Sequence, residues 1–237
     1  MAQTNQSSQQ QSQPPAQAPA DQSNQSEQDV PIAPRWQALI GIIVLAIINI
    51  VLPANLTLGP VWLLSAIEAV LLIPLLLEWI INRPLSYRVR RSLMFLLLGV
   101  VTLGMMSAII FLILTLSGSS SSTKAVQLLH DAALIWTSNI LVFSLWYWEV
   151  DGGGPAKRRD TGHQAADFMF PQQVDGNTSG WVPHFFDYVF LAFTAATALS
   201  PTDTFPLSRS AKALMMVQAI ISLVVIVLLA ARAVNIL

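Results

Sequence analysis

The chain has 237 residues, of which 54% are hydrophobic and only 11% are charged, whereas a soluble domain usually carries about 25% charged residues. The formal net charge of −1 argues against a nucleic-acid partner. Cysteine is absent, which excludes disulfides, thiolate nucleophiles and cysteine-ligated metals. Between the charged stretches lie apolar runs of about 20 residues, the length of a helix that spans a bilayer. The composition therefore predicts an all-α, multi-pass membrane protein whose first partner is the lipid bilayer.

Residues 1–34 consist mostly of Gln, Ser, Asn, Pro and Ala. They have neither the basic start nor the apolar core of a signal peptide. Their apolar surface is too small to offset the entropy that ordering would cost. We therefore expect a disordered tail in front of the first apolar segment.

Four transmembrane helices are predicted within residues 35–150, at residues 36–51, 61–81, 92–116 and 125–148. Four arginines precede the third of these helices, and a second basic run, residues 157–159, follows the fourth. Lys and Arg are enriched in cytoplasmic loops of membrane proteins. Both basic clusters agree with one topology, in which the N-terminal end of the chain is cytoplasmic.

Residues 151–183 form a polar loop, which opens with a glycine run that disfavours a continued helix. Residues 184–200 form a short apolar helix of roughly 25 Å, whereas the hydrocarbon core is about 30 Å thick. This helix either spans a locally thinned bilayer or enters the membrane and turns back. A last helix is predicted at residues 211–236. The predicted fold is a bundle of about five transmembrane helices plus this short helix.

A short helix, a polar loop and a long last helix, in this order, resemble the pore region of potassium channels. The channel filter reads T-T-V-G-Y-G-D, often followed by an aromatic residue and a proline. The corresponding run here contains Thr197, Ser200, Pro201, Thr202 and Asp203, followed by Phe205 and Pro206. The resemblance covers residues 184–236. It implies a pore loop, a homo-oligomer (a tetramer in that family) and a monovalent cation as partner.

Both glycines of the channel filter are replaced here, by Ser200 and Thr202. Glycine adopts left-handed backbone freely, whereas Ser and Thr do so at a cost of about 1–2 kcal/mol each. Pro201 also restricts Ser200 to extended conformations. We therefore expect a degenerate pore loop without potassium selectivity, in a channel-like or transport-related protein. The alternative is a noncatalytic membrane scaffold or accessory subunit with a vestigial loop.

The same C-terminal region is similar to an uncharacterised family of bacterial integral-membrane proteins that carry a domain of unknown function. The likeness consists of a Tyr- and Phe-rich short helix, the turn Ser200–Asp203 and the end of the last helix at Val234 and Asn235. It implies a location in the bacterial inner membrane. The sequence contains no acid–base or nucleophile motif, so we predict a protein that is not an enzyme and has no catalytic residue, cofactor or metal.

Two acidic residues are the principal charged candidates. Glu68 lies well inside the second apolar segment, where an ionisable group costs about 2.5–3.5 kcal/mol on insertion scales. Either it is an ion or proton site, or it is a structural carboxyl that links helices. Asp203 either lies at a pore mouth or caps the last helix, a role that Ser208 could also take.

Other polar residues within the apolar segments have plainer interpretations. We expect Asn139 to hydrogen-bond between helices and Asn49 to be solvated at the membrane boundary. His130 and Asp131 are adjacent on a helix, so their side chains point about 100° apart and are not expected to pair.

Overall fold

The computed structural model describes residues 36–53, 56–57, 59–81, 86–116, 122–197 and 203–234. The predicted tail and loop residues Ser200, Pro201 and Thr202 lie outside this part of the chain. The described residues form seven α-helices and one antiparallel pair of short strands. They are α1 (Trp36–Val51), α2 (Val61–Ile81), α3 (Tyr87–Leu116), α4 (Ser122–Val150), α5 (Pro155–Asp160), β1 (Phe168–Met169), α6 (Phe185–Thr197), β2 (Phe205–Pro206) and α7 (Arg209–Val234).

The helix bounds agree closely with the apolar pattern. Helices α1 and α2 have the predicted limits, whereas α3 begins at Tyr87 rather than at residue 92. This extension contains three arginines, and arginine is a good helix former. Helix α6 is described over 13 residues, Phe185–Thr197, and the predicted residues 198–200 lie outside the described part of the chain. The all-α prediction is confirmed, and the polar loop at residues 151–183 contains one additional short helix, α5.

Three helices of the described part are long and apolar enough to cross a membrane, judged by length and composition. They are α3, α4 and α7, whose most apolar stretches have mean hydropathies of 2.6, 1.4 and 2.8. Helices α1 and α6 are apolar but shorter, as is the stretch 62–77 of α2. The chain thus has the helix composition that a membrane protein requires.

Helix α4 is the centre of the bundle, because it packs on α1, α3, α6 and α7. Helix α2 packs on α1 and α3 at the other side. In α4, 61% of the apolar stretch is buried, whereas only 22% of the corresponding stretch of α7 is buried. Helix α7 therefore lies at the periphery, where most of its apolar surface is uncovered.

The glycine run after α4 turns the chain sharply. Gly152, Gly153 and Gly154 have φ values of 57°, 82° and 95°, in the left-handed region that residues with a Cβ adopt only at a cost. The chain then folds over the end of α4 through α5 and β1. The start of α3 lies here as well, since the Tyr87 hydroxyl donates to the Gly153 carbonyl at 2.8 Å. We name this end, with residues 151–183, the loop end of the bundle.

Candidate functional site

Helix α6 begins at the loop end. The backbone N–H of Phe185 donates to Gln37 Oε1 on α1 at 3.2 Å, and the Phe185 ring meets the Trp148 ring edge to face at 5.9 Å. The carboxylate of Asp187 accepts the backbone N–H of His184 at 2.7 Å, an N-terminal cap of the kind that acidic residues in the first helical turn supply. These contacts fix where α6 starts and which way it points.

A buried polar cluster fastens α6 to the loop, and we name its residues Trp148, Asp151, Arg158 and Tyr188 the anchor cluster. The Tyr188 hydroxyl donates to Asp151 Oδ2 at 2.5 Å. The other carboxylate oxygen, Oδ1, accepts the backbone N–H groups of Asp167 and Phe168 at 3.1 Å each. Asp151 is therefore bonded through both oxygens, although it is only 2% exposed.

Arg158 is the cation of the anchor cluster and is only 1% exposed. Its Nη1 donates to the carbonyls of Trp148 and Asp151 at 2.6 and 2.7 Å and lies 3.9 Å from Asp151 Oδ2. The guanidinium also lies over the rings of Trp148 and Tyr188, at 4.7 and 5.2 Å from their centroids. The Nε and Nη2 atoms have no hydrogen-bond partner among the described residues.

Two hydrogen-bond relays connect α4, α7 and α6 further inside the bundle. In the first relay, the Tyr147 hydroxyl donates to Gln218 Oε1, and Gln218 Nε2 donates to the Ala192 carbonyl at 2.7 Å. Gln218 and Tyr147 are both fully buried. Since a buried amide is costly to leave unbonded, this relay specifies how α7 faces α6.

The second relay lies one helical turn deeper. Trp136 Nε1 donates to Ser222 Oγ at 3.1 Å, and Ser222 Oγ donates to the Ala196 carbonyl at 2.5 Å. Ala196 is in the last turn of α6, where carbonyls lack partners within the helix. The buried serine of α7 therefore satisfies a group that would otherwise be unbonded at the end of α6.

The two relays fix the relative direction of α6 and α7. Gln218 bonds to Ala192 and Ser222 bonds to Ala196, so a step of four residues along α7 matches a step of four along α6. The two helices consequently run parallel, and both begin at the loop end. At a rise of 1.5 Å per residue, the described part of α6 advances roughly 18 Å, whereas α7 continues for roughly 38 Å.

After α6 the chain returns to the loop end. Strand β2 pairs with β1 in an antiparallel register, in which Phe205 lies opposite Met169. The backbone N–H of Leu207 donates to the Asp167 carbonyl at 2.8 Å, and α7 starts two residues later. The start of α6 at Phe185 and strand β2 at Phe205 therefore both lie at the loop end.

The filter-like residues that the structure describes lie at the two ends of the return. Thr197 is the last residue of α6 and is half-buried, and its hydroxyl donates back to the carbonyls of Phe193 and Thr194 at 3.0 and 3.2 Å. Asp203 is exposed. Of the two candidate caps of α7, Ser208 takes the role, since Ser208 Oγ accepts the Ala211 N–H at 3.1 Å. Asp203 lies six residues ahead of α7.

Glu68 lies apart from this segment, on α2, and is 1% exposed. Its Oε1 accepts a hydrogen bond from Asn49 Nδ2 on α1 at 2.6 Å, whereas its Oε2 is buried without a partner among the described residues. The expectation that Asn49 is solvated at a boundary is therefore wrong. A carboxyl at depth attracts the nearest donor on the facing helix, because water cannot reach it.

Two further expectations for polar residues fail. The amide nitrogen and oxygen of Asn139 are buried and have no partner among the described residues, so no interhelical hydrogen bond forms there. His130 and Asp131 do meet, since His130 Nδ1 lies 3.5 Å from Asp131 Oδ1. The His130 side chain is 64% exposed, so its ring is free to turn toward Asp131. The expectation considered only the angle between the two Cα–Cβ directions and not the rotation of the side chain.

The residues of the anchor cluster and the relays were not among the predicted site residues. The sequence does carry one signal for the relays, because Gln218 and Ser222 are four residues apart in an otherwise apolar helix and so share a face. The sequence around Arg158 carries no such signal, since basic residues stand on both sides of it. Among the described residues, no group of three or more His, Asp or Glu side chains is arranged to hold a metal ion.

Compared with known proteins, the chain matches no protein-family model, no curated protein and no solved structure.

Proposed function

We propose that the chain is an integral membrane protein in which α6 and the residues that follow it form a re-entrant, pore-like loop. The loop conducts monovalent cations without selectivity for potassium. The observation that carries the proposal is the parallel course of α6 and α7, together with the position of β2 beside β1 at the loop end. If α6 crossed the bilayer, the chain that follows it would emerge at the far end of the bundle, whereas β2 lies at the loop end.

The depth at which α6 stops supports a hydrated or protein-lined surrounding for the loop. Roughly 18 Å of helix ends inside a hydrocarbon core of about 30 Å. Lipid offers no hydrogen bonds, so non-helical backbone at such depth is tolerated only inside protein or along a water-filled cavity. Three of the seven residues from 198 to 204 carry hydroxyls, and Asp203 is exposed. Such an acidic group at a mouth attracts cations.

The residue types argue against potassium selectivity. No glycine occurs from Thr197 to Ser208, so a ladder of carbonyls that requires left-handed backbone would be strained at several positions. The Thr197 hydroxyl is also engaged with its own helix. Cation passage in this proposal depends on charge and hydration rather than on stripping water from one ion of a particular size.

A flux assay in liposomes tests the proposal. Purified protein should pass potassium and sodium at comparable rates, and Asp203→Ala should lower both rates by roughly tenfold at low salt, because a mouth charge raises the local cation concentration. The loss should shrink at high salt as screening increases. Asp175→Ala is the matched control, because Asp175 is another exposed acid of the loop end and lies outside the proposed pore loop. Absence of flux under any gradient, or equal loss in both variants, would overturn the proposal.

A noncatalytic scaffold or accessory subunit is the second candidate, and the anchoring of α6 favours it. Both ends of the helix are bonded to α4, α7 or the loop through buried groups. Such bonding would suit a helix whose role is to complete a folded surface. In this case the protein would be monomeric in mild detergent and would pass no ions, whereas the pore proposal requires an oligomer.

A further inference from the structure

An open groove lies at the loop end, and its lining includes neither Thr197 nor Asp203. Its volume is about 760 Å³, and it lies between the start of α3, the loop after α4 and the start of α7. This volume is within the range of ~300–1,000 Å³ that is usual for small-molecule sites. Its polar lining comes from three separate elements, namely Arg91 on α3, Lys157 on α5 and Ser210 on α7, together with Gln164 and Asp167 of the loop.

Two basic side chains from different helices converge in this groove over Gly153. A Cβ atom built on Gly153 would lie only 2.7 Å from Lys157 Cδ and 3.1 Å from Arg91 Nη1. The glycine thus allows both side chains to approach the same patch of backbone. Like charges held close together destabilise a fold unless an opposite charge lies between them or water screens them.

The acid that lines the groove is already engaged with the protein. Asp167 Oδ2 accepts the Gly152 N–H at 2.9 Å, and its Oδ1 lies 3.4 Å from the Ser210 hydroxyl. A second acid, Glu149, lies beneath the turn, where its Oε1 would be 3.3 Å from a Cβ on Gly154, and it is only 5% exposed. Neither carboxylate projects into the groove as a free counter-charge for both cations.

Both cations retain donors for a ligand. The hydrogen bonds of Arg91 to Gly153 and Tyr87 both leave from Nη1, whereas a guanidinium has five N–H donors. Its orientation is fixed by the rings of Tyr87 and Phe95, whose centroids lie 5.7 and 5.2 Å from its Cζ. Lys157 is exposed and supplies a mobile ammonium with three donors.

We propose that this groove binds a phosphate-bearing anion through Arg91 and Lys157, with the Ser210 hydroxyl as a third contact. Phosphate oxygens match the fixed fork of guanidinium donors and accept charge-assisted hydrogen bonds from the lysine ammonium. The phosphate can belong to an anionic lipid headgroup or to a free phosphate compound, since both present the same oxygens. The ligand would link α3, α5 and α7 at the loop end.

Lipid binding by the purified full chain in mild detergent tests this inference. The first probe is phosphatidylglycerol, with phosphatidylcholine as the zwitterionic comparison, and the readouts are the dissociation constant by native mass spectrometry and the shift in melting midpoint. Inorganic phosphate at millimolar concentration is the second probe. Lys157→Gln should weaken phosphatidylglycerol binding by about fivefold to tenfold, because one charge-assisted contact is lost.

Arg159→Gln is the matched control, since Arg159 is exposed on the same helix but does not line the groove. Arg91→Gln should weaken binding further, but it also removes bonds to the turn, so Lys157→Gln decides the question. Competition by inorganic phosphate would assign the site to free phosphate compounds as well, whereas its failure would assign the site to lipid. Equal effects of Lys157→Gln and Arg159→Gln with every probe would overturn the inference. None of these outcomes depends on whether the protein conducts ions.

Discussion

Arg158 and Asp151 form a buried ion pair whose partners have almost no contact with solvent. Taking two charges out of water is costly, and their attraction compensates only if hydrogen bonds satisfy the remaining groups. Here the carboxylate accepts three hydrogen bonds, whereas Nε and Nη2 of the arginine have no hydrogen-bond partner among the described residues and the guanidinium lies over the rings of Trp148 and Tyr188. Loss of either charge would leave the other uncompensated.

Arg158→Met should therefore lower the free energy of unfolding by about 3–5 kcal/mol, seen as a lower melting midpoint in detergent. Tyr188→Phe removes one hydrogen bond to a charged acceptor and should have a smaller effect, about 1.5–3 kcal/mol. Arg159→Met, in the next position but exposed, is the control and should leave the melting midpoint unchanged. A larger effect of Arg159→Met than of Arg158→Met would contradict this assignment.

The sequence predicted where charge occurs but not which charges are buried. Lys157, Arg158 and Arg159 look alike in the sequence, and only the middle side chain is turned toward Tyr188, some 30 residues further along the chain. That choice depends on how α5 rests against α6, which no local pattern encodes. Glu68 was predicted as a buried candidate because its surroundings are apolar on both sides, whereas its partner Asn49 belongs to another helix and was missed.

At the scale of the elements, α6 depends on α7 for the satisfaction of its last turn. The four final carbonyls of a helix have no partners within it. The Ser222 hydroxyl donates to one of these carbonyls, that of Ala196, at 2.5 Å. Ser222 itself accepts from Trp136, so one hydroxyl joins three helices. The inner end of α6 is consequently held in place through a single small side chain.

Ser222→Ala should release this end. We expect faster hydrogen–deuterium exchange of the backbone amides in the last turn of α6, and a loss of about 1–3 kcal/mol in stability, because Trp136 Nε1 and the Ala196 carbonyl both lose their partner. Thr137→Ala is the control, since its hydroxyl is exposed and bonds only within its own helix. Unchanged exchange in α6 after Ser222→Ala would show that the relay does not hold the helix.

Helix limits were predictable from the sequence because apolar runs and their interruptions are local features. The apolar pattern gave the bounds of α1 and α2 and came within a few residues for the others. Whether α6 crosses the bundle or turns back was left open, because both courses have the same hydrophobicity. The decision depends on long-range pairs, such as Gln218 with Ala192 and β2 with β1.

At the scale of the whole molecule, the bundle is unevenly covered. Helix α4 is enclosed on several sides, whereas α6 and α7 present a broad apolar face. Phe186 and Phe190 are 73% and 57% exposed on α6, and Ile220 and Leu223 are each 61% exposed on α7. If the loop lines a pore, further copies of the chain must cover part of this face, because one copy cannot enclose a central path.

The absence of cysteine allows a direct test of this assembly. Phe190→Cys should give cross-linked dimers when membranes that contain the protein are oxidised, because the residue lies on the face that the proposal assigns to neighbouring copies. Leu103→Cys is the control, since it is 68% exposed on α3 and should stay monomeric. Equal cross-linking of both variants, or of neither, would argue against an assembly around α6 and α7.

The end of α6 inside the bundle has an electrical consequence. The aligned peptide dipoles of a helix place roughly half a negative charge at its carboxyl end, and α6 ends at the level of Ser222, roughly 20 Å along α7. This partial charge disfavours anions close to the end of α6, and the effect is weaker wherever water screens it. If the loop conducts ions, Asp203→Ala should thus lower the flux and still leave a preference for cations over chloride, because the helix end contributes part of the discrimination.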